Sequence, residues 1–209
     1  LSRHESLLIS TKKHPYHMDY EVGISLQGLI RYVDADIISD GGAYSALSPR
    51  VIDQSCIFAV GPYRIGAGRV RGRAARTNNL VSSAMRGFGI NQVSFAMESI
   101  LDEAAEMLSI DPFELRERNI FVKGDETFTG ERLFDSVGAL ESVRICRSKL
   151  QESLRKYEGK YPDGDKHLGY GMASCFKNVG AGKGRVDNAG ARIIRRNDGS
   201  FALYVSGVD

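Results

Sequence analysis

This sequence of 209 residues has little cysteine, little net charge and no long apolar run. Cys56, Cys146 and Cys175 are too few and too scattered for a disulfide framework. They fit a reducing compartment, so the cytoplasm is the expected location. No apolar stretch approaches the roughly 18 residues that a spanning helix needs, which excludes a helical membrane segment. No charged-then-apolar leader follows Leu1, so no signal peptide is read here. A formal charge of +2 argues against nucleic acid as a partner for the chain as a whole. With 42% hydrophobic and 26% charged residues, the chain is neither disordered nor collagen-like, and it can build one large core or two small ones.

Glycine, by contrast, is abundant: 23 residues, against an average of about 7%. The excess lies in 38–90 and 164–190, where backbone geometry is therefore demanding. The opening "LSRHESLLIS" reads as already mid-element and the closing "LYVSGVD" as a strand end, which suggests an excerpt of a longer polypeptide. Charge is concentrated locally. Arg64, Arg69, Arg71, Arg73 and Arg76 fall within 13 residues with no acidic residue among them. Arg69, Arg71 and Arg73 alternate, so on a strand they share one face. That face is either solvated or turned toward an anionic cofactor or partner.

Residues 5–10 and 17–26 read as strands, the second alternating polar and apolar in "YEVGISL". Gln27-Gly28 turns the chain into "LIRYVDADIIS", giving a hairpin over 17–38. Asp40-Gly41-Gly42 opens a loop. Pro49 in a first turn, with Ser48 as N-cap, predicts a short helix over 50–59. Residues 63–77 look extended. Val93, Ala96, Met97, Ile100, Leu101, Ala104 and Leu108 recur at helical spacing, predicting a helix over 91–108 with Asn91 as N-cap. Asp111, Pro112 and Glu114 are three agreeing start signals for a second helix that runs to Asn119. Ser136 caps a third through Tyr157, with Leu140, Val143, Leu150 and Leu154 on one face. "EGKYPDGDK" (158–166) reads as a boundary. Beyond it, 168–177 and 189–196 read as strands, and Asn197–Ser200 turns into "FALYVSG". Strands, then helices, then strands imply an α+β fold with mixed sheets, divided into 1–160 and a β-rich 161–209.

Most catalytic templates fail. His4, His14, His17 and His167 form no HExxH, no cysteine pair has zinc spacing, and GxSxG is missing. "VGAGKGR" (179–185) is not a Walker A loop, because Lys177 stands where a glycine is needed and Gly184 where Ser or Thr is needed. Its glycines still permit close approach of backbone to another group. "RGFG" (86–89) lacks the third glycine of a dinucleotide fingerprint, since position 92 is Gln92. The loop combines a fixed charge on Arg86, a flat apolar face on Phe88, and conformational freedom at Gly87 and Gly89. Such a loop can present main-chain N–H groups while Phe88 packs on a planar ligand.

"GGAYSALSP" and "AMRGFGINQVSFAMESILDEAAEMLSIDPFELRERNIF" together resemble the molybdenum-binding subunit of the xanthine dehydrogenase and aldehyde oxidase family. The upstream "ISTKKHPYHMDYEVGISLQGLI" and downstream "DGSFALYVSGVD" extend the resemblance over almost the whole chain. It implies an oxidoreductase with a molybdopterin-type molybdenum cofactor, in plain or cytosine dinucleotide form. Such an enzyme hydroxylates an N-heteroaromatic or aldehyde substrate with oxygen taken from water, and a glutamate acts as base. Iron–sulfur clusters and FAD on other domains or subunits, and an oligomeric assembly, are implied as partners.

By resemblance, the backbone N–H of Arg86 lies close to molybdenum, and Gly87 belongs to the same cofactor-facing turn. Phe88 stacks on the substrate, and Ala84 and Met85 lie on the same pocket loop. Gln54 falls where purine-oxidising members place an arginine. Gln donates and accepts hydrogen bonds but carries no charge, so xanthine is not assumed as substrate. Gly182, with Ala181, stands where those members carry a Phe-Thr pair, leaving one pocket wall open. Asn91 replaces the usual proline before Gln92. The family's GGFGGK-type segment, GQG-type cofactor loop and base glutamate are not in these residues, so the chain alone is expected to be inactive. The alternative is a non-catalytic scaffold or anion-binding domain that uses the Arg69/Arg71/Arg73 strand.

Overall fold

The N-terminal decapeptide shows how local chemistry can overrule a pattern. In this computed structural model, which describes residues 1–157, 169–180 and 188–206, the expected first strand is a helix, α1 (Arg3–Ile9). Ser2 and Glu5 form a reciprocal capping box: the Glu5 N–H donates to Ser2 Oγ (3.2 Å), and the Ser2 N–H donates to Glu5 Oε2 (2.6 Å). Leu7, Leu8 and Ile9 are exposed on it, so capping rather than burial accounts for the helix.

The hairpin forms as expected, with β1 (Tyr16–Ile24) antiparallel to β2 (Ile30–Asp40) and Gly28 at φ +74° in the turn. β2 is the central strand. Val33, Ala35, Ile37 and Ser39 alternate into the interior, and Asp34 and Asp36 face the other way. A parallel neighbour needs a crossover. α2 (Ser48–Phe58) supplies it and returns the chain as β3 (Ala67–Ala75), completing a sheet of order β1-β2-β3. α2 presses on β3 at Gly72, where an added Cβ would lie 2.3 Å from the Cys56 sulfur.

α3 (Ile90–Leu108) buries its predicted stripe, with Val93, Met97 and Leu101 fully enclosed. α4 (Pro112–Asn119) starts as the sequence predicts, the Glu114 N–H donating to Asp111 Oδ1 at 3.0 Å. α5 (Ala139–Tyr157) turns Val143 inward and packs Leu140 and Leu150 against the same core.

Four expectations need correction. Ser48 lies inside α2, not at its cap, and its hydroxyl is engaged by His14 instead. Gly89, not Asn91, caps α3, and no side chain closes that end. α5 begins at Ala139, three residues after Ser136. The described part of 168–177 forms no strand. It is held by other means: the Ser174 N–H donates to Glu98, and the Phe176 ring meets Phe58 and Phe121 edge-on. The boundary segment 158–166 lies outside the described residues. The chain divides into Leu1–Phe176 and Lys177–Asp209, the latter carrying the hairpin of β4 (Ala191–Arg195) and β5 (Phe201–Val205).

The core of the first unit holds an ion pair. Arg116, with no exposed surface, donates from Nε to Glu98 Oε2 (2.8 Å) and from Nη2 to the Glu98 carbonyl (3.1 Å) and to Asp102 (2.8 Å). Tyr63 donates to the other Glu98 oxygen at 2.5 Å. Burial, followed by the adjacent carboxylate, pushes the Tyr63 phenol well above its ordinary pKa. Asn119 ties the hairpin turn to α4. It accepts from the Ile30 N–H (2.9 Å) and donates to Gly28 O (2.7 Å) and Leu115 O (2.8 Å).

Removing one partner of a buried pair leaves an uncompensated charge. Arg116→Ala should therefore lower the unfolding free energy by about 3–5 kcal/mol in denaturant titrations. Arg69→Ala, which breaks a surface pair, should leave the midpoint nearly unchanged.

Candidate functional site

The loop from Ala84 to Gly89 connects an irregular segment to α3 and has an unusual backbone. Gly87 (φ +95°), Phe88 (φ +53°) and Gly89 (φ +95°) take left-handed conformations in succession. For Phe88 this is a strained choice, of the kind that persists only where surroundings enforce it. Gly89 shows the enforcement: a Cβ there would come within 2.3 Å of Ser55 Oγ and 2.7 Å of the Val51 carbonyl. Ser55 Oγ in turn shares a hydrogen bond with Tyr16 Oη (2.7 Å) and donates to Val51 O (2.9 Å). α2 and β1 thus form the floor on which the loop exit rests.

Two successive carbonyls in the loop are occupied. The Phe88 N–H donates to Met85 O (2.7 Å), and Lys13 Nζ donates to Arg86 O (2.8 Å). In a trans peptide the N–H points opposite to the carbonyl, and the peptides of this loop are trans. The Arg86 and Gly87 N–H groups are therefore directed away from these contacts, and neither has a hydrogen-bond partner among the described residues. Two adjacent free donors beside an aromatic ring are suited to an anionic or oxygen-rich group.

A strap, Lys12–His14, holds the loop along its length. The Lys12 N–H donates to Val81 O (3.0 Å), the Ser83 N–H donates to Lys12 O (3.1 Å), and Gln92 Nε2 donates to His14 O (3.0 Å). Buried His14 shares a 2.7 Å hydrogen bond between its Nε2 and Ser48 Oγ. Asp40 anchors the preceding loop, accepting from the Gly42 N–H, Thr77 Oγ1 and Asn79 Nδ2 (2.9, 2.6 and 2.5 Å). Thr77, Asn79 and Gly42, in that order of weight, hold its carboxyl below the usual carboxylate range.

Of the residues singled out from sequence, Ala84, Met85 and Arg86 are exposed, and Gly87 and Phe88 are half-buried. Gln54 is half-buried on α2, next to the Ser55 that meets Gly89, and its side chain has no hydrogen-bond partner among the described residues. Ala181 and Gly182 lie outside the described residues. Lys13, His14, Tyr16, Ser48 and Ser55 were missed as supports. Lys13 is 73 positions from Arg86, and no local spacing marks such a contact.

The basic strand is less free than its sequence suggested. Arg69 pairs with Asp34, and Arg71 and Arg73 both reach Asp36, because the parallel register sets Asp34 beside Arg69 and Asp36 beside Arg71. These pairs neutralise much of the charge that an anionic partner would need. Among the described residues, no three of His, Cys, Asp or Glu gather to ligate a metal directly. A groove of about 650 Å³ runs along α3 from Ile90 to Asp102, on a lining that does not include Phe88.

Residues 1–120 match the family model of the molybdopterin cofactor-binding domain. The chain is 36% identical over 201 residues to a probable xanthine dehydrogenase subunit of Bacillus subtilis, covering 96% of this chain and 26% of that protein. It is 35% identical over 153 residues to the nicotinate dehydrogenase large molybdopterin subunit of Eubacterium barkeri, covering 73% of this chain and 36% of that protein. Among solved structures, the aldehyde oxidoreductase from Desulfovibrio desulfuricans superimposes with a TM-score of 0.75 at 27% identity, over 92% of this chain and 21% of that one. The chain thus spans 26% and 36% of the length of the two curated relatives.

Burial holds His14 below its ordinary pKa of about 6.5, with the charge of Asp40 acting more weakly in the other direction. A depressed histidine contributes stability that is full above the ordinary pKa and lost as pH falls through the folded value. Melting temperatures measured from pH 7.5 down to 5 should therefore decline, and His14→Gln should flatten the decline. An unchanged slope in the variant would assign the proton uptake to another group.

Proposed function

Because the chain belongs to the molybdopterin cofactor-binding domain family of xanthine dehydrogenases and aldehyde oxidases, we propose that it is part of the large subunit of a molybdenum hydroxylase, and that its Arg86–Phe88 loop forms one wall of the substrate pocket. The observation that carries this reading is the pair of N–H groups at Arg86 and Gly87, without a partner among the described residues and with the carbonyls of their peptides occupied, beside the strained Phe88. Two directed donors and a flat ring fit the edge of an oxygen-bearing prosthetic group with a planar substrate against it. The bound molybdenum cofactor, in plain or cytosine dinucleotide form, supplies the oxidative hydroxylation with water-derived oxygen.

The chain's own residues bind and orient. Phe88 packs its ring on an N-heteroaromatic or aldehyde substrate. The Arg86 and Gly87 N–H groups donate toward the cofactor edge without reorganisation during turnover. Ala84 and Met85 line the same loop. Gln54 offers a neutral amide where purine-oxidising members place an arginine, so xanthine is not assumed as the substrate. Electrons leave to iron–sulfur and FAD partners, in an oligomeric cytoplasmic enzyme.

The test is Phe88→Ala in the full-length subunit. Molybdenum content should be retained, while kcat/KM for aromatic substrates falls about tenfold or more. Unchanged turnover would remove the stacking role.

A further inference from the structure

We propose that Lys13 is a positioning residue for the pocket loop: its ammonium fixes the Arg86–Gly87 peptide plane and so aims the Gly87 N–H. The proposal rests on the functional reading above and names a residue that the reading does not use. Three observations carry it. Lys13 Nζ donates to the Arg86 carbonyl at 2.8 Å, across 73 positions of sequence. The Gly87 N–H belongs to that same peptide, points the opposite way, and has no partner among the described residues. The backbone of Lys13 cannot drift, because its neighbours are held on both sides. Lys12 pairs with Val81 and Ser83, and the His14 carbonyl accepts from Gln92.

The geometry assigns Lys13 a task that no other described residue shares. The preceding peptide is fixed within the loop itself, by the bond from the Phe88 N–H to Met85 O. The Arg86–Gly87 peptide has no such internal bond, and the glycine at position 87 would otherwise let it rotate. A cation on the carbonyl also draws electron density along the peptide and makes its N–H a stronger donor. The effect is therefore electrostatic as well as geometric, and a neutral side chain of similar length does not reproduce it.

The experiment compares Lys13→Met and Lys13→Arg with the wild type in the full-length subunit. Hydrogen–deuterium exchange over 83–90 comes first, since it needs neither cofactor nor substrate. Lys13→Met should speed exchange of the Phe88 and Ile90 amides several-fold while α3 stays protected, and Lys13→Arg should match the wild type. In the molybdenum-loaded enzyme, Lys13→Met should lower kcat roughly tenfold with KM and molybdenum content unchanged. Lys13→Arg should restore kcat to within about twofold. Unaltered exchange in Lys13→Met overturns the proposal whatever the activity. Altered exchange with unaltered kcat in an active enzyme also overturns it. A wild-type subunit that takes up no molybdenum overturns the functional reading instead, and exchange alone then decides whether Lys13 holds the loop.

Discussion

The buried contact between Arg116 and Glu98 is the constraint on which the rest of the larger unit depends. An ion pair deep in a core is tolerated only when both charges are fully hydrogen-bonded, because desolvation otherwise outweighs attraction. Here both conditions are met from four directions. α3 brings Glu98 and Asp102, α4 brings Arg116, the segment after α2 brings Tyr63, and the stretch beyond α5 brings the Ser174 N–H. Each element must therefore sit where its donor or acceptor reaches the pair. That fixes the angle of α3, and α3 begins at the Ala84–Gly89 loop.

The residues that made the family recognisable are in large part this scaffold. Glu98, Asp102, Asp111, Arg116 and Asn119 all belong to the matched pattern, and all of them cap helices, bridge helices or tie down the hairpin turn. None of them lies in the Ala84–Gly89 loop. A pattern of buried polar residues is recognisable because each member has one geometric solution, whereas apolar core positions accept several side chains of similar volume. The stretch that carries the resemblance thus holds both this framework and the short Ala84–Gly89 loop attached to it.

That loop stores strain that its surroundings must hold in place. Three left-handed residues in succession, one of them Phe88, do not persist on their own. The floor of Val51, Ser55 and Tyr16 and the strap of Lys12–His14 supply the restraint, with Asp40 anchoring the loop before it. Rigid elements thus position a backbone whose Arg86 and Gly87 N–H groups have no hydrogen-bond partner among the described residues.

Much of the fold was legible in the sequence where the signal is local and one-dimensional. The alternation of β2, the apolar stripe of α3 and the Asp-Pro-x-Glu start of α4 each follow from the geometry of a single element. The same local logic explains the N-terminal element that was misread, since the Ser2–Glu5 capping box of α1 was also present in the residues. The loop at 86–89 was legible as an oddity, from its glycines and its lone aromatic. What only the tertiary structure decided were relations between distant segments. These include the pairing of Arg69, Arg71 and Arg73 with Asp34 and Asp36 of β2, the diversion of Ser48 from cap to partner of His14, and the hold of Lys13 on Arg86. Such contacts depend on strand register and on which surfaces meet, and these are set by the packing of the whole core rather than by the spacing of neighbouring residues.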